Sequence, residues 1–127
     1  MKVLFTGIQP TGDIHIGNYF GAIANWVRIQ HDYVPFISIV DLHAITIPYE
    51  TAEMPKRVED LALTLYACGL DFEKTTLFVQ SEVPGHADLT WIFNTITPLG
   101  ELERMTQFKD KREQFRSTVN VGLLDYP

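Results

Sequence analysis

The feature that most limits the fold is an alternation. Three short apolar runs, Val3-Leu4-Phe5, Pro35 to Val40 and Thr75 to Val79, are each followed by a stretch with apolar residues at helical spacing. After the first run these are Ile16, Tyr19, Phe20, Ile23, Trp26 and Val27. After the second they are Val58, Leu61, Ala62, Leu65 and Cys68, and after the third Leu89, Ile92, Phe93 and Ile96. Strand-helix repeated three times is the order of a parallel sheet with right-handed crossovers. The runs are almost wholly apolar, as in strands covered on both faces. The expectation is an α/β, Rossmann-like fold on a parallel sheet. In detail, Val3–Phe5 is a short buried strand and Pro35 opens the second strand. Thr51 caps the second helix, Pro55 sits in its first turn and Gly69 ends it. The third helix closes near Pro98 and Gly100, and a shorter one covers about Glu101 to Phe108.

At 127 residues the chain is one domain's worth, enough for a real core. Its net charge of −6 argues against a nucleic-acid coat or a membrane-surface protein, which need basic faces. Cys68 is the single cysteine, so no internal disulfide exists and a reducing, cytoplasmic setting is expected. "MKVLFTGIQP" is too short and too interrupted for a signal peptide. No stretch approaches the ~20 apolar residues of a membrane span. The end, "VGLLDYP", places Asp125 as a helix N-cap with Pro127 in the first turn, so a further helix and a longer protein are expected.

In open α/β sheets, ligands bind outside the carboxyl ends of the strands. That rule selects Phe5 to Asn18, Val40 to Thr46, and Gln80 to His86. The first contains "TGIQPTGDIHIGN", a loop with three glycines that leads into a helix start. Free N–H groups and the positive dipole end favour a phosphate there. His15 and Asn18, three residues apart, share a face and both carry donors. Two such donors suit a transition state in which charge grows on phosphate oxygens. The loop matches neither the dinucleotide fingerprint nor the Lys-Thr phosphate loop. A plain glycine-bearing connection with a helix cap is the other reading.

His43 follows the second strand, where it either bonds structurally or faces a ligand; Asp41 is placed to cap or orient that loop. His86 is read as a cap-region residue. The four histidines and one cysteine show no metal-ligand spacing, so no protein-held metal is expected. "RMTQFKDKREQFR", Arg104 to Arg116, is either a solvated face or a mobile phosphate-contacting segment. Trp26 and Trp91 fall on apolar helix faces and suit core or dimer packing.

"HIGN" resembles the His-Ile-Gly-His signature of class I aminoacyl-tRNA synthetases. With "FTGIQPTGDIHIGN", "IVDLHAIT", "FVQSEVPGHADLTW" and "GELERMTQFKDK", the chain from Val3 to Pro127 resembles the bacterial tryptophanyl branch of that family. The resemblance implies that ATP activates L-tryptophan, which is then attached to tRNA(Trp). By the same resemblance Gln9, Pro10, Thr11, His15, Gly17 and Asn18 bind ATP, Gly17 beneath the adenine. His15, Asn18 and Lys111 serve catalysis, Lys111 from a loop reaching toward the triphosphate. Phe5, Gly7, Val40, His43 and Tyr126 surround tryptophan. Magnesium comes with ATP, and the family forms homodimers. Residues 1–127 would be the first part of the catalytic domain. The family's Lys-Met-Ser-Lys-Ser loop, its indole-binding aspartate and its anticodon-binding helices have no counterpart here. A catalytically inert module of the same fold, or another class I nucleotidyl transferase such as the tyrosine enzyme, stays open at this point.

Overall fold

The structure, a computed structural model, describes residues 1–115 and 119–126. Arg116 and Pro127, named above, lie outside them. Three parallel strands, β1 (Lys2–Ile8), β2 (Tyr33–Ile39) and β3 (Thr76–Val79), form a sheet in the order β1-β2-β3. The helical elements are α1 (Ile16–Asn18), a π-helical turn (Tyr19–Ile23), α2 (Ala24–Ile29), α3 (Asp41–Ala44), α4 (Met54–Ala67), α5 (Gly85–Ile96), α6 (Leu99–Leu102), α7 (Thr106–Phe115) and α8 (Val121–Asp125). Two 3-10 turns, Thr51–Glu53 and Gln80–Glu82, precede α4 and follow β3.

Side chains alternate across a strand, so the two faces of this sheet differ. One face carries Ile8, Ile37, Ile39 and Leu77. With Ile23, Trp26, Leu61, Leu65 and Leu70 from the helices and the α4–β3 connection, it builds the core. The other carries Val3, Phe5, Gly7, Ser38 and Phe78. Val3 and Phe5 are exposed, Phe5 by 66%. The expected short buried strand is therefore a seven-residue strand at the sheet edge, uncovered on one face. Pro35 lies inside β2, not at its opening. β3 pairs only from Phe36 onward, so Tyr33–Pro35 has one neighbouring strand and a missing donor is tolerated.

The helices differ from expectation in five places. The apolar series from Ile16 to Val27 is not one buried stripe: Ile16 and Phe20 are exposed, while Ile23 and Trp26 are buried. A π-helical turn, wound more widely than an α-helix, lies between them. Thr51 is not a cap. It opens a 3-10 turn, and α4 begins at Met54 with Pro55 in its first turn. Glu53 binds Arg57 through an i,i+4 ion pair at 2.7 Å. Gly69 ends α4 with φ at +101°, as its sequence position implied.

α5 carries no buried residue: Leu89, Ile92, Phe93 and Ile96 are all exposed, and Trp91 is 72% exposed. Among the described residues the Leu89, Ile92, Phe93 and Ile96 stripe, legible in the sequence, is left largely uncovered. The expected helix over Glu101–Phe108 is two helices, α6 and α7, with Phe108 buried in the second. Asp125 ends α8 rather than starting a helix. The cap of α8 is Asn120, whose side chain accepts from Leu123 N–H at 2.9 Å. Among the described residues, no helix is long and apolar enough to cross a membrane.

Candidate functional site

The carboxyl ends of all three strands open on the same edge, and the candidate residues fall there in two groups. The first is the β1–α1 loop. Gly12, at φ +75°, turns it. Pro10 is buried, and Thr11 Oγ1 reaches Gln9 Oε1 at 3.5 Å. His15 and Asn18 then close a reciprocal cap. His15 Nδ1 accepts from Gly17 N–H at 3.1 Å, and Asn18 Oδ1 accepts from His15 N–H at 3.1 Å. The His15 carbonyl accepts from Asn18 and Tyr19 N–H at 2.9 and 3.1 Å.

This geometry fixes hydrogens. A ring nitrogen that accepts carries no proton, so the neutral His15 imidazole holds its proton on Nε2. The Asn18 carbonyl oxygen is used inward, which leaves its NH2 free to donate outward. The sequence reading aimed free backbone N–H groups at a ligand. Here the Gly17 and Asn18 N–H groups are already taken, and the side chains offer Nε2–H and Nδ2–H2 in their stead. Gly17 is needed for this arrangement: a Cβ there would lie 2.9 Å from His15 Cε1 and 3.0 Å from Nδ1.

The second group sits at the ends of β1 and β2. Phe5, Gly7 and Val40 share the open side of the sheet. A Cβ on Gly7 would meet Val40 Cγ1 at 2.9 Å. Phe5 faces Phe78 across β2, ring centroids 6.4 Å apart. His43, on α3, meets the Tyr126 ring edge-on at 4.3 Å. α8 is drawn to this place by Asn120, whose Nδ2 donates to the Thr46 carbonyl at 3.0 Å, and by Asn94, which donates to Asp125 Oδ2 at 3.2 Å. Between α3, α5 and α8 lies a cavity of about 350 Å³ whose walls include His43, Gln80, His86, Trp91 and Tyr126. Lys111 belongs with this second group. Its ammonium lies over the Phe115 ring at 5.6 Å, and its charge is felt by His43.

Burial, and after it the Lys111 charge, hold the His43 imidazole below its ordinary value. The neutral ring is thus the folded form's preference. Its contribution to stability is present above the ordinary histidine range and is lost as pH falls through the depressed value. NMR titration should give a His43 midpoint below that of the unfolded chain. Lys111→Met should raise it only in part, because desolvation is the larger cause. A midpoint at or above the unfolded value would contradict this.

Asp41 Oδ1 accepts from both Leu42 and Ser81 N–H, each at 3.0 Å. His86 Nδ1 donates to the Gln80 carbonyl at 3.1 Å, and the His86 ring stacks on Phe78 at 6.0 Å. The role of Asn120 was missed in the sequence, although an asparagine before "VGLL" is a cap signal. Among the described residues, no group of His, Cys, Asp and Glu could hold a metal ion.

The family model of class I tRNA synthetases (W and Y) matches residues 2–127. A tryptophan–tRNA ligase of Clostridium acetobutylicum is 51% identical over 127 residues, covering 99% of this chain and 38% of that protein. A tryptophanyl-tRNA synthetase structure from Campylobacter jejuni, complexed with ADP and tryptophan, superposes with a TM-score of 0.89 at 36% identity, over 100% of this chain and 39% of that one. One from Mycoplasma pneumoniae gives 0.90 at 38% identity, over 100% and 38%. The chain thus spans about two fifths of the length of the relatives it matches.

Proposed function

The chain belongs to the class I tRNA synthetases of the tryptophan and tyrosine group, and we propose that it forms the ATP- and tryptophan-binding part of a tryptophan–tRNA ligase. The observation that carries this reading is the reciprocal His15–Asn18 cap, which leaves two side-chain donors at a strand's carboxyl end. The 51% identity to a tryptophan–tRNA ligase supports tryptophan over tyrosine. The C. jejuni relative, bound to ADP and tryptophan, supports the substrate pair.

In this reading ATP enters as its magnesium complex along Gln9, Pro10, Thr11 and Gly17. Tryptophan lies against Phe5, Gly7, Val40, His43 and Tyr126. Its carboxylate oxygen attacks the α-phosphorus, the bond to the bridging oxygen breaks, and pyrophosphate leaves. His15 Nε2–H and Asn18 Nδ2–H2 donate to the phosphate oxygens as charge grows on them, and Lys111 steadies the leaving group. With no protein cage for a metal among the described residues, magnesium rides on the phosphates and water. Transfer to tRNA(Trp) belongs to the longer enzyme, of which residues 1–127 are the first part of the catalytic domain, in a cytoplasmic setting.

Tryptophan-dependent exchange between pyrophosphate and ATP tests this. Weak exchange, abolished by Asn18→Ala with Lys111→Ala, is the expected result. Exchange no faster than in that double variant would favour an inert module of the same fold.

The reading includes a homodimer through α5. Leu89, Ile92, Phe93 and Ile96 share one exposed face of α5, and a contiguous apolar stripe is costly to leave in water. Sedimentation should show self-association that Ile92→Glu with Ile96→Glu abolishes. A monomeric wild-type chain would remove the dimer from the reading.

A further inference from the structure

The outer residues of the amino-acid site stand on short, loosely anchored pieces. His43 is on α3, a four-residue helix. A single turn has little stability of its own, since nucleation fixes several dihedrals for one hydrogen bond. Something must hold it. On the strand side, Val40 N–H bonds the Ile8 carbonyl at 2.9 Å and so ties the root of the turn to β1. On the other side the tie is one carboxylate. Asp41 Oδ1 accepts from Leu42 N–H, in its own turn, and from Ser81 N–H, forty positions along the chain. Ser81 lies in the 3-10 turn that leaves β3, and α3 packs on that turn. The same turn is held from behind by His86, which donates to the Gln80 carbonyl and stacks on Phe78. Asp41 therefore joins the carboxyl ends of β2 and β3 at the point where His43 leaves the sheet.

We propose that Asp41 is a positioning residue of the amino-acid site, its carboxylate pinning the turn that carries His43 to the exit of β3. This rests on the reading of His43 as a tryptophan contact. Asp41 acts through His43 and the wall formed by Gln80, and it touches no reacting atom. Recognition sites need their contacting groups held within about 0.5 Å by such supports. Both bonds go to one oxygen, so an amide carbonyl in the same place can take them over. The pin depends on geometry and reach, and a full negative charge is not required.

The test uses three variants of the chain. Asp41→Asn keeps the acceptor. Asp41→Ser keeps a short acceptor beside Leu42 N–H but cannot reach Ser81. Asp41→Ala removes both, and the serine variant stands in where the alanine one fails to fold. The first readout needs no ligand: the His43 ring resonances should move in the serine variant and stay in place in the asparagine variant. The second is binding of tryptophan and of ATP, each measured alone. Serine and alanine should weaken tryptophan on the order of tenfold, leave ATP unchanged, and asparagine should restore tryptophan binding. His43 resonances that stay in place in the serine variant would overturn the pin. So would a parallel loss of tryptophan, ATP and thermal stability, which marks a merely structural role. Asparagine as damaging as alanine would show that charge, not reach, matters, and would overturn it too. Moved His43 resonances with unchanged tryptophan affinity would uphold the pin's geometry and overturn its role in recognition, locating the failure in the tryptophan assignment of His43.

Discussion

Gly17→Val is expected to abolish ATP binding while the sheet and core survive. A Cβ at position 17 falls within 3.0 Å of two atoms of the His15 ring, and a branched side chain adds two further carbons. The imidazole must leave, and its departure breaks the Nδ1 cap and removes Nε2–H from the loop's outer face. The cap is worth about 1 kcal/mol, which the fold can absorb. The displaced donor costs more, about 3 kcal/mol or ~10² at a site built for phosphate charge. In the proposed ATP pose the bulk of the valine also stands where the adenine would approach. Calorimetry should detect no ATP binding at concentrations that saturate the unaltered chain, with only a small drop in melting temperature. Gly17→Ala should fall between the two. Unchanged ATP affinity in the valine variant would remove this loop from the nucleotide site.

His15→Ala should lower tryptophan-dependent pyrophosphate exchange by ~10² to 10³, the usual cost of one preorganised donor. Two amide replacements then separate the ring's two nitrogens. Asparagine places its amide where Nδ1 lies and can cap the helix. Glutamine extends one carbon further and places an N–H donor near Nε2. Asparagine should therefore preserve stability and lose exchange, and glutamine should lose some stability and keep more exchange. The two rankings run in opposite directions because one nitrogen faces the backbone and the other the substrate. Asparagine retaining more exchange than glutamine would mean that the inward nitrogen is the working one.

The parallel sheet was legible in the sequence because its signal is local. Each strand is a short apolar run, each crossover helix has its own periodicity, and Gly69 marks an end by chemistry that needs no partner. The placement of the His15–Asn18 turn was legible for the same reason, and the pairing of Gly7 with Val40 follows once two strand ends are side by side. What was not legible depends on partners. Leu89, Ile92, Phe93 and Ile96 read as a core stripe, since periodicity tells which face is apolar and not what covers it. Phe5 read as buried because an edge strand and a central one have similar composition. Asp125 is half a cap signal by itself. It lies inside α8, whose start is set by Asn120 through its bond to Leu123 N–H and its reach to Thr46, a contact across 74 positions. The side-chain direction of His15, inward at Nδ1 and outward at Nε2, is a rotamer choice on which the letters "HIGN" are silent.

The π-helical turn has a further consequence. It separates two stretches that do different things in the fold. Upstream, Gly17 and Asn18 close the reciprocal cap with His15; downstream, Ile23 and Trp26 belong to the core. In an unbroken α-helix each residue advances by about 100°, so the faces of the two stretches would be locked in one phase. The wider turn between them breaks that phase. Gly21, with no atom near enough to meet a Cβ, sits inside that turn and leaves it room to adjust. The two ends of the helical segment can thus adjust separately, the capped turn at one end and the core packing at the other.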